Sequence, residues 1–249
     1  MNKDVQILNN MQNQIVSDTE AEIERAAGFC EKTYTREELF DILNIDSSKS
    51  PQTDIEKQIC ILKLDSIFSQ KEADILTYHL TNHAALIREA CAHKVNEFMK
   101  EESYAAFFQT RHILDSLLKA VNDINPNICR MIIEVLPYIN EKEYFLENLY
   151  HRIGYVFDEL EKLKRSNWYT KKLFNLYWCL EALAVIKAPA DARLEKVLEK
   201  TSVFRDYTIR EKTAMVLSYL SETSPVLERI KENLKNDDNF YVKRYSQQW

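Results

Sequence analysis

Glycine is almost missing from this chain: Gly28 and Gly154 are the only two in 249 residues, against a usual share of about 7%. Hairpin turns draw on residues that tolerate positive φ, so a sheet protein built on many tight turns is excluded. The same shortage removes the Gly-rich phosphate loop and the dinucleotide fingerprint, and with them the kinase, P-loop and Rossmann classes. Cysteine is present five times, an odd number with no Cys-x-x-Cys. That argues against a disulfide framework and for reduced thiols in a cytoplasmic protein. A long apolar run is also lacking. The most apolar stretch, Leu173 to Ile186, is interrupted by Asn175 and Glu181 and falls short of the roughly 18 apolar residues that span a bilayer. Met1 to Gln14 lacks the apolar segment of a secretory signal. A soluble protein without a membrane partner is expected.

Helix signals are abundant. Ser17 with Glu20, Thr35 with Glu38, Thr53 with Glu56 and Ser69 with Glu72 all fit the capping box, in which a hydroxyl and a Glu three residues on each take a free backbone N–H. Apolar residues follow at helical spacing, as in Ile55, Ile59, Leu62 and Ile67. Asn44 to Gln52 collects small polar residues and a Pro and reads as a loop. Pro126, Pro189 and Pro225 each stand where a helix could begin, whereas Pro137 lies inside an apolar stretch and is expected to end or bend its helix.

Three segments repeat one helical face. Starting from Ile87, Ile128 and Ile209, small or apolar residues recur at offsets 0, 4, 5, 8 and 11, apart from the polar Thr213. The starts are 41 and then 81 residues apart, a period near forty that suits units of two helices. Ile87-Arg88 with Ala92 and Ile209-Arg210 with Ala214 resemble the second helix of a HEAT repeat, which opens on an apolar residue and Arg and continues with a small residue. The copy at Ile128 departs from the pattern, with Cys129 in the Arg place and Arg130 one position later. The unit at Asn167 to Ile186 matches by length and apolarity, and Tyr241-Val242-Lys243-Arg244 begins a last copy.

The resemblance implies an all-α protein: a right-handed α-solenoid of about five HEAT-like helical pairs with an N-terminal helical cap. The cap covers residues 1–52 and the solenoid 53–249, with pairs near 69–99, 103–139, 141–187, 189–221 and 225–249. An irregular helical bundle would bury the same residues without a regular face. Arg88 and Arg210 would then tie neighbouring repeats through carbonyls and carboxylates, or line a concave surface; five donors on one guanidinium favour the tie.

Few residues suggest chemistry. His79, His83, Cys91 and His93 are ligand types within fifteen residues, but they lack the tight Cys pairs of structural zinc sites, so no metal and no cofactor is expected. The five cysteines fall on or beside apolar faces and read as core. HEAT-like solenoids include alkylpurine DNA glycosylases, and Trp168, Tyr169, Trp178, Arg205, Asp206 and Tyr207 are of the types such a site uses. No family motif matches there, however, and a net charge of −6 opposes nucleic-acid binding.

Charge is unevenly spread. Residues 1–149 carry 15 lysines and arginines against 25 carboxylates, and residues 150–249 carry 18 against 14. The leading reading is a non-enzymatic scaffold or adaptor that binds another protein, with a glycosylase or other nucleic-acid binder as the alternative. Lys171, Lys172, Arg210, Lys212, Lys243 and Arg244 stand near the starts of successive second helices, so stacking would set them in a basic ladder for an acidic segment of the partner.

Overall fold

The computed structural model describes residues 20–44, 54–163 and 167–245, and all regular structure in them is helical. A first helix, α1, covers residues 20–31. It is followed by α2 (Arg36–Leu43), α3 (Asp54–Lys63), α4 (Gln70–Tyr78), α5 (Ala85–Met99), the single turn α6 (Glu102–Ala105), α7 (Arg111–Val121) and α8 (Pro126–Ile133). The remainder is α9 (Lys142–Lys162), α10 (Asn167–Val185), α11 (Ala192–Ser202), α12 (Tyr207–Ser218), α13 (Pro225–Lys235) and α14 (Phe240–Lys243). No helix among the described residues is long and apolar enough to cross a membrane.

Side-chain caps start seven of the helices among the described residues. Thr35 forms the full capping box, its hydroxyl accepting from Glu38 N while Glu38 accepts from Thr35 N. At Ser69 only half of the box forms. The Ser69 hydroxyl takes Glu72 N, but the Glu72 carboxylate accepts from Phe68 N at 2.7 Å and pairs with Arg36. Ser17, Thr53 and the loop after Asn44 lie outside the described residues. Pro126 and Pro225 occupy the first turn of α8 and α13, behind the caps Asn125 and Ser224. Pro189 does not begin a helix. Its carbonyl accepts from Asp191 N, and Asp191 instead caps α11. Pro137 sits in a short 3-10 turn after α8 has ended. The shortage of glycine causes little strain, because among the described residues Lys187 alone has a positive φ, 55°. There Ala188 N reaches Leu183 O and Lys187 N reaches Ala184 O, a Schellman end to α10.

Packing follows chain order. Each helix of the set α2, α4, α7, α9, α11 and α13 packs on its successor of the set α3, α5, α8, α10, α12 and α14. Within the second set, α3 packs on α5, α5 on α8, α8 on α10, α10 on α12 and α12 on α14. The aligned positions form the seam. Ile87, Cys91, Ala92, Val95 and Phe98 are buried, as are Ile128, Ile132, Ile133, Leu136 and Ile139. In α12, Ile209, Thr213, Ala214 and Leu217 are buried, and Leu220, just beyond its end, is partly so. Thr213 belongs there because its hydroxyl donates to Ile209 O at 2.9 Å, which satisfies the polar group inside the helix.

The two arginines join successive pairs in the same way. Arg88 donates through Nε and Nη2 to Asp123, at 2.6 and 3.1 Å, and through Nη1 to the carbonyls of Asn82 and His83. Arg210 repeats the pattern with Asp237 at 2.6 and 3.0 Å and with the carbonyls of Phe204 and Arg205. Each Asp also accepts the N–H of an Asn two residues on, Asn125 or Asn239, and that Asn caps the next helix. Cys129, in the Arg place of α8, keeps one of these contacts, its thiol lying 3.2 Å from the Asp123 carbonyl six residues back.

Candidate interaction surface

The expected basic ladder does not form. Arg210 is spent on Asp237, and Lys212 is buried, bonded to Glu181 and set 4.6 Å over the Tyr177 ring. Arg244 pairs with Glu211 at 2.6 Å. Lys243 adds to the positive field that, after the Arg210 hydrogen bond, holds the Asp237 carboxyl below its ordinary range. Position near a helix start fixes how far along the axis a residue lies but leaves its face open, and these side chains turn toward carboxylates of their neighbours. Lys172 likewise lies 3.9 Å from Glu159, whereas Lys171 makes no ion pair among the described residues.

These two lysines lie on the first turns of α10. Asn175 donates to Asn122 O at 3.1 Å, and Arg130, Ile133 and Glu134 share a small cavity with Tyr177, Trp178, Glu181 and Val185. Thus α8 and α10 run in the same direction, with Asn175 level with the residues just before α8. The eight residues of α10 before Asn175 therefore overhang the α7–α8 loop by about 12 Å, at 1.5 Å per residue. In the corner beneath lies a pocket of about 590 Å³. Ile124, Trp168 and Phe174 form its apolar part, Asn122, Asn167, Thr170 and Asn175 its neutral polar part, and Lys171 and Lys172 its charges. No carboxylate lines it. Ile124 is 73% exposed and Trp168 63%, and Lys171 Nζ sits 4.7 Å over the Trp168 ring. Lys172 Nζ lies 4.7 Å over Tyr155 and 3.9 Å from Glu159.

A second groove, of about 740 Å³, separates α9 from α11. Its α9 wall carries Glu147, His151 and Asp158, and its α11 wall Arg193, Lys196 and Lys200. Both signs of charge face it. The Tyr150 hydroxyl in this groove is buried without a hydrogen-bond partner.

Comparison with known proteins leaves the family open. No family model matches the chain, and no curated protein matches it. Solved structures do match, among them two engineered proteins from the Northeast Structural Genomics Consortium. Each is 12% identical over 87% of this chain, covering 97% and 95% of its own length, with TM-scores of 0.49 and 0.44. At that level neither informs function.

Of the six residues of base-excision types, two have clear structural places. Asp206 caps α12, accepting from Thr208 N and from the Thr208 hydroxyl, and Trp178 is buried with its indole N–H unpaired. The zinc-ligand types are dispersed. His79 is buried against Leu43 O, and burial holds its ring below the ordinary pKa; His83 and His93 are exposed, near Asp54 and Glu97, and Cys91 is in the core. No cluster of three or more ligand types is placed to hold a metal among the described residues.

One thiol departs from the core expectation. Cys30 is exposed on α1, while Cys60, Cys91, Cys129 and Cys179 are buried. Burial pushes Cys60, Cys129 and Cys179 up to about 12, with Glu56 and Asp123 adding to the rise at Cys60 and Cys129. Only a thiolate attacks a disulfide reagent. Native protein at pH 8 is therefore expected to release one equivalent of thionitrobenzoate from Ellman's reagent quickly, lost in Cys30→Ser, and four more on unfolding. Two or more fast equivalents in the native state would show that the core thiols are open.

Proposed function

We propose that this chain is a HEAT-like α-solenoid and works as a non-enzymatic scaffold for another protein. The observation that carries the reading is the packing order: each helical pair meets the pair before and the pair after, and the Arg88–Asp123 and Arg210–Asp237 links join neighbours. Such stacking leaves long outer faces open, and repeat proteins of this build use extended surfaces rather than one enclosed cavity. The charged groups answer one another across pairs, as do Lys100 with Glu134 and Arg111 with Glu141, which suits structural ties more than a reacting centre.

Photo-crosslinking of the tagged chain in its native cells, followed by purification and mass spectrometry, tests this. A protein that stays with the chain at fixed stoichiometry in light scattering is the expected result. Purified protein is also expected to release no base from alkylated duplex DNA. Release that vanishes in Asp206→Asn would replace the scaffold with a glycosylase.

A further inference from the structure

We propose that the corner under the α9–α10 hairpin is the docking site for a short acidic segment of a partner protein that carries one large apolar side chain. The inference rests on the scaffold reading and adds the chemistry of the ligand. It begins with helix length. The N-terminal two turns of α10 run past the start of α8, so among the described residues no helix of the second set lies beneath them, and the corner keeps Ile124 and Trp168 open to water. Exposed aromatic and branched side chains set side by side in a concave place are the usual anchors of an interface.

Charge decides the occupant. The corner's lining holds Lys171, Lys172 (which also lies 3.9 Å from Glu159 behind it) and no carboxylate, in contrast to the α9–α11 groove, where both signs line the walls. Among the described residues Lys171 makes no ion pair, and its one marked contact is with the Trp168 ring. A carboxylate placed beside Trp168 would meet that ammonium directly. Nearby, Asn175 and Asn122 are held by Asn122 O and Leu118 O, so the floor is fixed before a ligand arrives. An apolar side chain would fill the space between Ile124, Trp168 and Phe174, and flanking Asp or Glu residues would face Lys171 and Lys172.

A displayed library of random dodecapeptides, selected against the full chain, provides the probe. Selected sequences are expected to be rich in Asp and Glu next to Phe, Trp, Leu or Ile. As free labelled peptides they are expected to lose at least tenfold in affinity to Trp168→Ala and to Lys171→Glu, and to weaken as salt rises from 0.05 to 0.5 M, since screening shortens the reach of exposed charges. Both variants alter exposed side chains, and unchanged melting by circular dichroism shows that they fold. Lys196→Glu, in the α9–α11 groove, is expected to bind as the parent does. Basic or uncharged selected sequences, or binding indifferent to Trp168→Ala and Lys171→Glu, would overturn the docking site. Binders lost in Lys196→Glu instead would move it to the other groove and leave the scaffold reading intact. Failure to select any binder would also overturn the proposal, while the crosslinking result would still judge the scaffold.

Discussion

Arg88→Ala is expected to destabilise the chain by about 3–5 kcal/mol, the usual cost of breaking a buried ion pair by removing one partner. The side chains of Arg88 and Asp123 are 10% and 8% exposed, so the pair lies largely out of water. Its loss strands the Asp123 carboxylate, left with only the Asn125 N–H, and removes a donor from the carbonyls of Asn82 and His83. Arg88→Lys is expected to recover little, because an ammonium cannot bind a carboxylate side-on and two carbonyls in one plane. Urea unfolding checks this. In a double-mutant cycle with Asp123→Asn, the coupling is expected to exceed about 1 kcal/mol, as for residues in direct contact. A cost under about 1 kcal/mol for Arg88→Ala would mean that the link between pairs is carried by apolar packing alone.

The matching link has a pH signature. The Arg210 hydrogen bond holds the Asp237 carboxyl below its ordinary range, against the opposing effect of burial. A carboxyl depressed in the folded state contributes stability that is complete above its unfolded pKa, about 3.9, and lost as pH falls through the lower folded value. Arg210→Ala is therefore expected to lower stability at neutral pH and to flatten the acid limb.

The helices were legible because their signals are local: Thr35 and Glu38 stand in one turn, and the apolar offsets from Ile87, Ile128 and Ile209 each lie on one face. The arginine ties were half legible. Arg88 and Arg210 are visible at the aligned starts, but their partners lie 35 and 27 residues onward, in the loop before the next second helix. Asp-x-Asn occurs at both places, Asp123 to Asn125 and Asp237 to Asn239, and is the signal that could have been read. The corner pocket could not be read from a period, since it arises where α9 and α10 depart from the length of their neighbours. Lys212 was misplaced for a different reason. At offset 3 it aligns with Ala90 and Met131, the first buried and the second partly so, so the alignment itself set Lys212 on the inner face.

That inner position makes Lys212→Glu a damaging charge reversal. The ammonium is bonded to Glu181, lies 4.6 Å over the Tyr177 ring and is 3.5 Å from Met215 Sδ. A glutamate there would lose the pair and set two carboxylates together on a largely buried seam between α10 and α12. The expected cost is about 3 kcal/mol or more, or ~6–12 °C in melting temperature for a chain of this size. Lys171→Glu, on an exposed side chain, is expected to change stability by less than about 0.5 kcal/mol. Binding lost in a variant that reverses Lys171, Lys172 and Lys212 together would thus report unfolding as readily as a lost contact. Lys212→Met with Glu181→Leu is expected to recover much of the loss, because apolar residues of similar volume often replace a buried pair at little cost. Alkaline titration gives an independent reading. Burial pulls the Lys212 pKa down, but Glu181 and then Tyr177 outweigh it, and the net shift is upward. A lysine raised in the folded state contributes stability that is complete below its unfolded pKa, about 10.4, and lost as pH rises through the folded value. Wild type is therefore expected to lose stability more steeply above about pH 10 than the double variant that carries Lys212→Met and Glu181→Leu. Equal alkaline limbs, together with a Lys212→Glu protein that melts with wild type, would return Lys212 to the surface and restore it as a candidate contact for the partner.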